Sequence, residues 1–147
     1  MMTDNSSHLL VVARYQDGRI LKGTTRDFSP MRPEFHLTPD GDGGAPAVKV
    51  LVASLKAVFF VKTLEGDRTH VDAADFLHAK GQGRRIRVSF KDGEVMVGFT
   101  VGYAPNRPGF FFIPADPDSN NLRAFIVSPA VSRVEFLPLR EPARAAC

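Results

Sequence analysis

Asp17-Gly18-x4-Gly23-x-Thr25-x4-Pro30-x-Arg32-Pro33-x-Phe35-x3-Pro39 is the first of two copies of one pattern in this chain of 147 residues. The second copy is Asp92-Gly93-x4-Gly98-x-Thr100-x4-Pro105-x-Arg107-Pro108-x-Phe110-x3-Pro114, at a constant offset of 75 residues. A period of this length, with glycines and prolines in register, indicates a duplicated small fold and not a solenoid.

Each copy begins as a β-hairpin. An Asp-Gly pair between β-branched and aromatic runs favours a tight turn, because glycine accepts the positive φ that the turn requires. The glycine inside the second strand, Gly23 or Gly98, predicts a sharp bend or bulge there. The strands expected around the two turns are His8–Tyr15 with Arg19–Phe28, and Arg85–Phe90 with Glu94–Tyr103.

Three further strands complete each copy. The third strand is Glu34–Leu37 or Gly109–Ile113, and a polar crossing follows it at Pro39–Pro46 or Pro114–Leu122. A single 3₁₀ turn at Ala53–Leu55 or Ser128–Ala130 separates the last two strands. These closing strands are Ala47–Val52 with Ala57–Val61, and Arg123–Val127 with Arg133–Leu137.

The predicted fold is therefore mostly β: two tandem, pseudo-symmetric, five-stranded small barrels of the SH3 or Sm type. The first repeat spans residues 8–61 and the second spans 84–137. Residues 62–83 form a linker with one short helix around Ala73–Lys80, because Asp72 is an N-cap candidate and Gly81 a stop signal. Residues 1–7 and 138–147 are expected to be flexible tails.

Composition restricts the partners and the compartment. The net charge of +3 is too small for a nucleic-acid-scale basic patch. The single Cys147 has no internal partner, no secretory signal is recognisable, and no apolar run is long enough to cross a bilayer. These features favour a cytoplasmic protein with no membrane partner.

The duplicated loops are the candidate binding site. Each places an arginine, Arg32 or Arg107, between two prolines that stiffen the backbone, with an aromatic residue on each side. Arginine among aromatic residues is typical of a binding hot spot. A structural alternative is that each arginine stacks on its own Phe28 or Tyr103, or donates to carbonyl groups at the bend.

Phe111 belongs to an unusually aromatic strand, Gly109–Ile113. If Phe110 and Phe112 face the core, Phe111 faces away from it and could pack on the other copy, on a second chain or on a partner protein. The candidate partner-binding residues are thus Phe28, Arg32, Tyr103, Arg107 and Phe111.

No catalytic, cofactor-binding or metal-binding site is expected. Four histidines, His8, His36, His70 and His78, are spread along the chain. Only the pattern His70-x-Asp72-x2-Asp75-x2-His78 brings residues of metal-ligand type together, and it is interpreted as a solvated helix face. Nucleophile-elbow, P-loop and paired-cysteine motifs are absent from the sequence, so an enzyme is not predicted.

Two nucleotide-linked interpretations stay open. Asp17-Gly18-Arg19-x3-Gly23 on a bent strand is similar to the first motif of Sm-like RNA-binding barrels, although the Arg-Gly pair of their second motif is missing. Asp27-Phe28-Ser29 resembles part of the motif of PilZ domains, which bind cyclic-di-GMP, but Arg32 stands where that motif has glycine.

A wider resemblance covers about Leu9 to Leu137. Asp17–Gly23 with Phe28–Phe35, and Phe90–Ile113 with the Ala115–Asn121 segment, resemble uncharacterised domains of myxobacteria and other deltaproteobacteria. These domains occur alone or fused to response-regulator receivers. The resemblance implies a cytoplasmic signalling protein that meets a response regulator or a small GTPase in trans, and it assigns no functional residues.

The sequence thus favours a non-enzymatic adaptor in bacterial two-component or small-GTPase polarity signalling. A PilZ-like cyclic-di-GMP sensor and an Sm-like RNA-binding protein are the alternatives.

Overall fold

The structure, a computed structural model, describes residues 9–39, 46–66, 69–73, 75–77, 79 and 83–138. Ten strands account for most of these residues. They are β1 Leu9–Tyr15, β2 Ile20–Thr25, β3 Glu34–Pro39, β4 Val48–Leu51, β5 Leu55–Val61, β6 Arg84–Phe90, β7 Val95–Thr100, β8 Gly109–Pro114, β9 Asn121–Val127 and β10 Val131–Phe136. The 3₁₀ turns Val52–Ser54 and Ser128–Ala130 precede β5 and β10.

All ten strands belong to one antiparallel sheet that is not closed, in the order β10-β6-β7-β8-β9-β5-β1-β2-β3-β4. The mostly β prediction is confirmed. The sheet is continuous across both halves because β5 of the first half pairs with β9 of the second. The predicted division into two tandem small barrels is not confirmed by this sheet order.

The two halves repeat the same strand order and register. In the first half β1 pairs with β2 and β5, and Val11 lies opposite Gly23 and Phe60; in the second, Ile86 lies opposite Gly98 and Phe136. Both turn glycines, Gly18 and Gly93, have a φ of 97°. The preceding Asp carboxylates accept hydrogen bonds of 3.0 Å from the backbone N–H two residues later. The duplication seen in the sequence is thus a duplication of backbone pairing.

The strand glycines Gly23 and Gly98 allow two strands to approach unusually closely. A Cβ atom on Gly23 would lie 1.9 Å from the Thr38 carbonyl oxygen, and one on Gly98 would lie 2.1 Å from that of Ile113. At these points β2, still paired with β1, also pairs with β3, and β7, still paired with β6, also pairs with β8. The bend predicted at each glycine stays a prediction, and close backbone contact is a physical reason for glycine there.

The two cores meet at the β5–β9 junction, where all seven residues of β5 are buried. Ala57, Phe59 and Val61 of β5 belong to the core of the second half. Phe125 and Val127 of β9 belong to the core of the first half. Neither half therefore has a complete core of its own.

Lys56 of β5 connects the junction to the second hairpin turn through ion pairs. Its side chain is 10% exposed, and its ammonium group bonds the carboxylates of Asp92, at 2.7 Å, and Glu94 in the second hairpin turn. The ammonium also lies 4.7 Å from the Phe90 ring centroid. One residue of β5 therefore holds the turn of the other half.

The linker departs from its prediction, because its described residues form turns and no α-helix. Asp116 binds the Ala73 N–H, Asp75 accepts from the Leu77 N–H, and Ala79 donates to the Phe76 carbonyl. The bonds of Leu77 and Ala79 close isolated turns, whereas the bond of Ala73 is a tertiary contact. Phe76 packs on Phe99 with ring centroids 5.3 Å apart.

Several predicted features lie outside the described residues: both tails beyond Leu9 and Pro138, the middle of the Pro39–Pro46 crossing, His8, His78, and part of the expected helix with its glycine stop. Within the described part of the chain, no helix has the length and apolarity needed to span a membrane.

Candidate functional site

The two arginine loops present their guanidinium groups to solvent. Arg32 and Arg107 are both exposed. Neither side chain makes a hydrogen bond, an ion pair or a ring contact with a residue that the structure describes. The structure therefore does not show either arginine stacked on its own aromatic neighbour, Phe28 or Tyr103.

The loop backbones are held in equivalent ways. The Arg32 N–H donates to Ser29 at 3.1 Å, and the Arg107 N–H donates to Ala104 at 3.3 Å. Each second proline then offers its carbonyl oxygen to the start of a 3₁₀ turn, Val52 to Pro33 and Ser128 to Pro108, both at 2.9 Å. The arginines stand on backbone that is fixed at both ends, which lowers the entropy lost on binding.

Phe28 is half-buried and lies at the centre of an aromatic cluster. Its ring contacts Phe35, Phe60 and Phe125 edge-on at centroid distances of 5.3–5.4 Å, and Phe111 at 6.5 Å. Such aromatic pairs contribute about 0.5–1.5 kcal/mol each. Phe28 anchors the first loop to the β5–β9 junction.

Phe111 packs against the other half, which was one of the three positions left open for it. Phe110 and Phe112 belong to the core of the second half, whereas Phe111 packs on the core of the first half. The Arg123 guanidinium lies between Phe60 and Phe111, at 4.7 and 4.8 Å from their ring centroids. Phe111 is thus half-buried between the copies.

Tyr103 anchors the second loop as Phe28 anchors the first. Its ring packs edge-on against Phe110 at 4.9 Å and against Phe136 at 5.6 Å. The five candidate residues therefore divide by chemistry: the two arginines are exposed, and the three aromatic residues hold the loops in place.

A groove of about 850 Å³ between the halves was not predicted from the sequence. Its walls come from β1 and β2, the end of β5 with the following loop, the linker, and β7. The charges are mixed, with three cations, Arg14, Lys22 and Lys62, facing four carboxylates, Glu65, Asp72, Glu94 and Asp118. Only the packing of the two copies creates this groove, so no local motif could have signalled it.

His70 and Asp72 line the groove and, with the buried Asp116, form the only cluster of metal-ligand type among the described residues. The His70 Nε2 lies 2.9 Å from Asp116 and 3.4 Å from Asp72. The Ala73 and Asp118 N–H groups also donate to Asp116, and the Ser119 hydroxyl donates to Asp72. These contacts form a clamp that holds the linker on the second half.

The electrostatics of Asp116 agree with a clamp. The hydrogen bond from the Ala73 N–H lowers the pKa of Asp116 below its ordinary value, with further lowering by the Asp118 N–H and His70, although burial acts in the opposite direction. The sequence interpretation placed His70 and Asp72 on a solvated helix face. His70 contacts Asp116 and Asp72 contacts Ser119, 46 and 47 residues away along the chain, and these contacts correct that interpretation.

The PilZ-like residues are engaged inside the first half. Asp27 accepts hydrogen bonds from the His36 N–H at 2.9 Å and pairs with the His36 ring at 2.8 Å. The Ser29 hydroxyl accepts from the Met31 N–H. Burial raises the pKa of the Asp27 carboxyl, but the His36 hydrogen bonds outweigh it, and the net pKa is lowered.

Comparison with known proteins places the chain in a family. It matches a family of unknown function, DUF6982, over residues 7–138, and it belongs to that family. No curated protein and no solved structure matches it.

Proposed function

We propose that this protein is a non-enzymatic adaptor of bacterial signalling that docks a protein partner through the loops of Arg32 and Arg107. The observation that carries the proposal is the pair of exposed guanidinium groups on equivalent, backbone-fixed loops, with no partner among the described residues. Arginine on a stiff support is a preferred anchor at protein interfaces, especially for carboxylates.

The surroundings of Arg32 support the same proposal. Met31, next to it, is 88% exposed, which is unusual for a flexible apolar side chain. Such a side chain beside a guanidinium can bury apolar surface while the arginine pairs with an acid. Phe28, Tyr103 and Phe111 act in this proposal as supports that keep the loops in position.

The partner follows from the family resemblance. A response-regulator receiver or a small GTPase in the cytoplasm is the proposed partner, bound in trans. We propose no cofactor, catalytic group or membrane contact for this role.

We also infer that each half is a small five-stranded barrel of the SH3 or Sm type. The shared strand order, with the fifth strand beside the first and a 3₁₀ turn before it, supports this assignment. An experimental structure in which β2 and β7 run straight past Gly23 and Gly98 would contradict it.

The test of docking is a double substitution, Arg32→Ala with Arg107→Ala. Capture of the partner in a pull-down from native cell extract should fall at least about 10-fold, because hot-spot arginines each contribute more than about 1 kcal/mol. Titration against the captured partner measures the loss. Circular dichroism should not change, since both side chains are free of contacts with described residues.

The matched control removes two exposed lysines elsewhere, Lys62→Ala with Lys91→Ala, and so makes the same change in net charge. It should retain capture. Equal capture by the double-arginine variant and the control would remove the loops from the binding site. Calorimetry with cyclic-di-GMP and a shift assay with a short RNA test the two alternatives, and the adaptor proposal expects no binding in either.

A further inference from the structure

The β5–β9 junction joins two copies of one repeated unit. Each copy therefore also has an equivalent of the strand that the other copy contributes to the junction, and these equivalents lie at the two ends of the sheet. By register, β10 is the equivalent of β5, and β4 is the equivalent of β9. Among the described residues, β10 pairs only with β6 and β4 only with β3. The two outer strands of the sheet, β10 and β4, are thus the equivalents of the two strands that pair at the junction.

The side chains of these edges differ from those of the junction in a consistent way. On the β5 side, Val12, Ala57 and Phe59 enter the core of the second half. Their equivalents at the β10 edge are Arg87, Arg133 and Glu135, which form a ladder in which Glu135 pairs with both arginines at 3.2 Å.

The other side shows the same replacement. Phe111 and Phe125 of β8 and β9 pack against the core of the first half. Their equivalents on β3 and β4 are His36 and Lys49. His36 pairs with Asp27, and Lys49 lies 4.0 Å from Glu34.

Five apolar junction positions therefore have ionisable equivalents at the free edges. If β10 of one molecule paired with β4 of another in the junction register, Arg133 would lie opposite Val50 and Glu135 opposite Val48. Both charges would then face apolar core positions. Burying a charge without its partner costs several kcal/mol, and charged side chains are a known protection of sheet edges.

We propose that Arg87, Arg133 and Glu135 at one end, and His36 and Lys49 at the other, are edge guards that stop the sheet at two units. Without them the chain assembles head to tail with a second copy of itself, through the contact that joins its own halves. This role does not involve the arginine loops, so its test is independent of the proposed docking function.

The experiment uses two full-length variants that carry the junction residues at one edge each. The β10-edge variant has Arg87→Val, Arg133→Ala and Glu135→Phe; the β4-edge variant has His36→Phe and Lys49→Phe. Each variant keeps one guarded edge, so each should remain a single chain of 16.1 kDa by light scattering, as should the wild type. An equimolar mixture should shift to twice that mass.

A cysteine pair tests whether the contact has the junction register. Phe60 lies opposite Arg123 in the junction, so Phe136 of one molecule should lie opposite Ala47 of the other. In a Cys147→Ser background, Phe136→Cys in the β10-edge variant and Ala47→Cys in the β4-edge variant should form a disulfide in the mixture. Neither variant alone should form this disulfide.

The proposal is overturned if the two folded variants, mixed, stay at the mass of one chain, or if they associate without that disulfide. Self-association of the wild type at the same concentration also overturns it. Should a variant fail to fold by circular dichroism, a milder pair replaces it: Arg133→Ala with Glu135→Gln, and Lys49→Met. For this pair the mass should still rise on mixing, and an unchanged mass overturns the proposal.

Discussion

Lys56 makes an ionic contact between the two halves. It is nearly buried, and it bonds two carboxylates of the other half, each about half exposed. Its equivalent in the second half, Ser132, donates to the Ser89 carbonyl instead. The Lys56 ion cluster at the junction therefore has no counterpart at the equivalent position, Ser132, of the β10 edge.

We predict that Lys56→Met lowers the free energy of unfolding by about 1–2 kcal/mol at pH 7, the range of a charged hydrogen bond with partly solvated acceptors. The Lys56 hydrogen bond is the largest cause of the lowered pKa of Asp92. A carboxyl with a lower pKa in the folded state stabilises above its unfolded pKa, about 3.9, and loses this contribution as pH falls through the folded value.

The difference between wild type and Lys56→Met should accordingly shrink as the pH falls below the unfolded pKa of about 3.9. Urea unfolding at several pH values measures it. Lys91→Met, at an exposed site, serves as the control and should show a small difference that does not vary with pH. A Lys56→Met effect that is constant over this range would contradict the role of Asp92.

The candidate site also divides at the scale of single residues. Arg32 and Arg107 were predicted to be presented by their loops, and both are exposed. Phe28 and Tyr103, from the same motif, are packed instead. An aromatic ring gains about 2–3 kcal/mol by leaving water, whereas a guanidinium loses solvation. A motif shows that these residues occur together, but it does not show which of them reach the solvent.

At the scale of elements, β2 and β7 each pair with a strand on both sides, β2 with β1 and β3, and β7 with β6 and β8. Gly23 and Gly98 have ordinary negative φ values, so close approach of a neighbouring strand, and not backbone conformation, requires glycine there. Any side chain would have to push β3 or β8 away.

We predict that Gly98→Ala destabilises the protein by about 1–3 kcal/mol, the range of overpacking, because the new methyl group would overlap the Ile113 carbonyl oxygen. The midpoint of urea unfolding measures this change. Val95→Ala in the same strand is the control, since Val95 is 53% exposed and its truncation should cost less. Equal midpoints for the two variants would contradict the close approach.

The linker helix is a predicted element that was not confirmed. Asp72 and Gly81 are valid helix signals, but the described linker residues form turns, Asp116 binds the Ala73 N–H, and Phe76 packs on Phe99. An isolated helix of about two turns is unstable in water, so tertiary contacts decide the local structure of these described residues.

At the scale of the whole molecule, the shared cores make the halves one cooperative unit. β5 and β9 each bury side chains in the core of the other half. Local opening of one half would expose apolar surface of both, so a single unfolding transition is expected.

We predict that Phe125→Ala costs about 3–5 kcal/mol, the usual range for a large buried ring, and lowers protection in both halves. Phe125 is 2% exposed and packs on Phe28 and Phe111. Native-state hydrogen exchange of β1 and β6 amides should show parallel losses. Phe136→Ala, at the outer edge, is the control and should cost less; a loss confined to the second half would contradict the shared core.

The sequence by itself determined the duplication, both hairpin turns, the order of strands along the chain, the special role of the strand glycines and the stiff arginine loops. These features depend on contacts near in the chain and on residues, such as glycine and proline, whose conformational preferences are intrinsic. Only the tertiary structure decided that the halves merge through β5 and β9, that Phe111 lies between them, that Asp116 joins His70, and that a groove opens beside them. Each of these depends on side chains tens of residues apart, which burial of apolar surface brings together and no local pattern records.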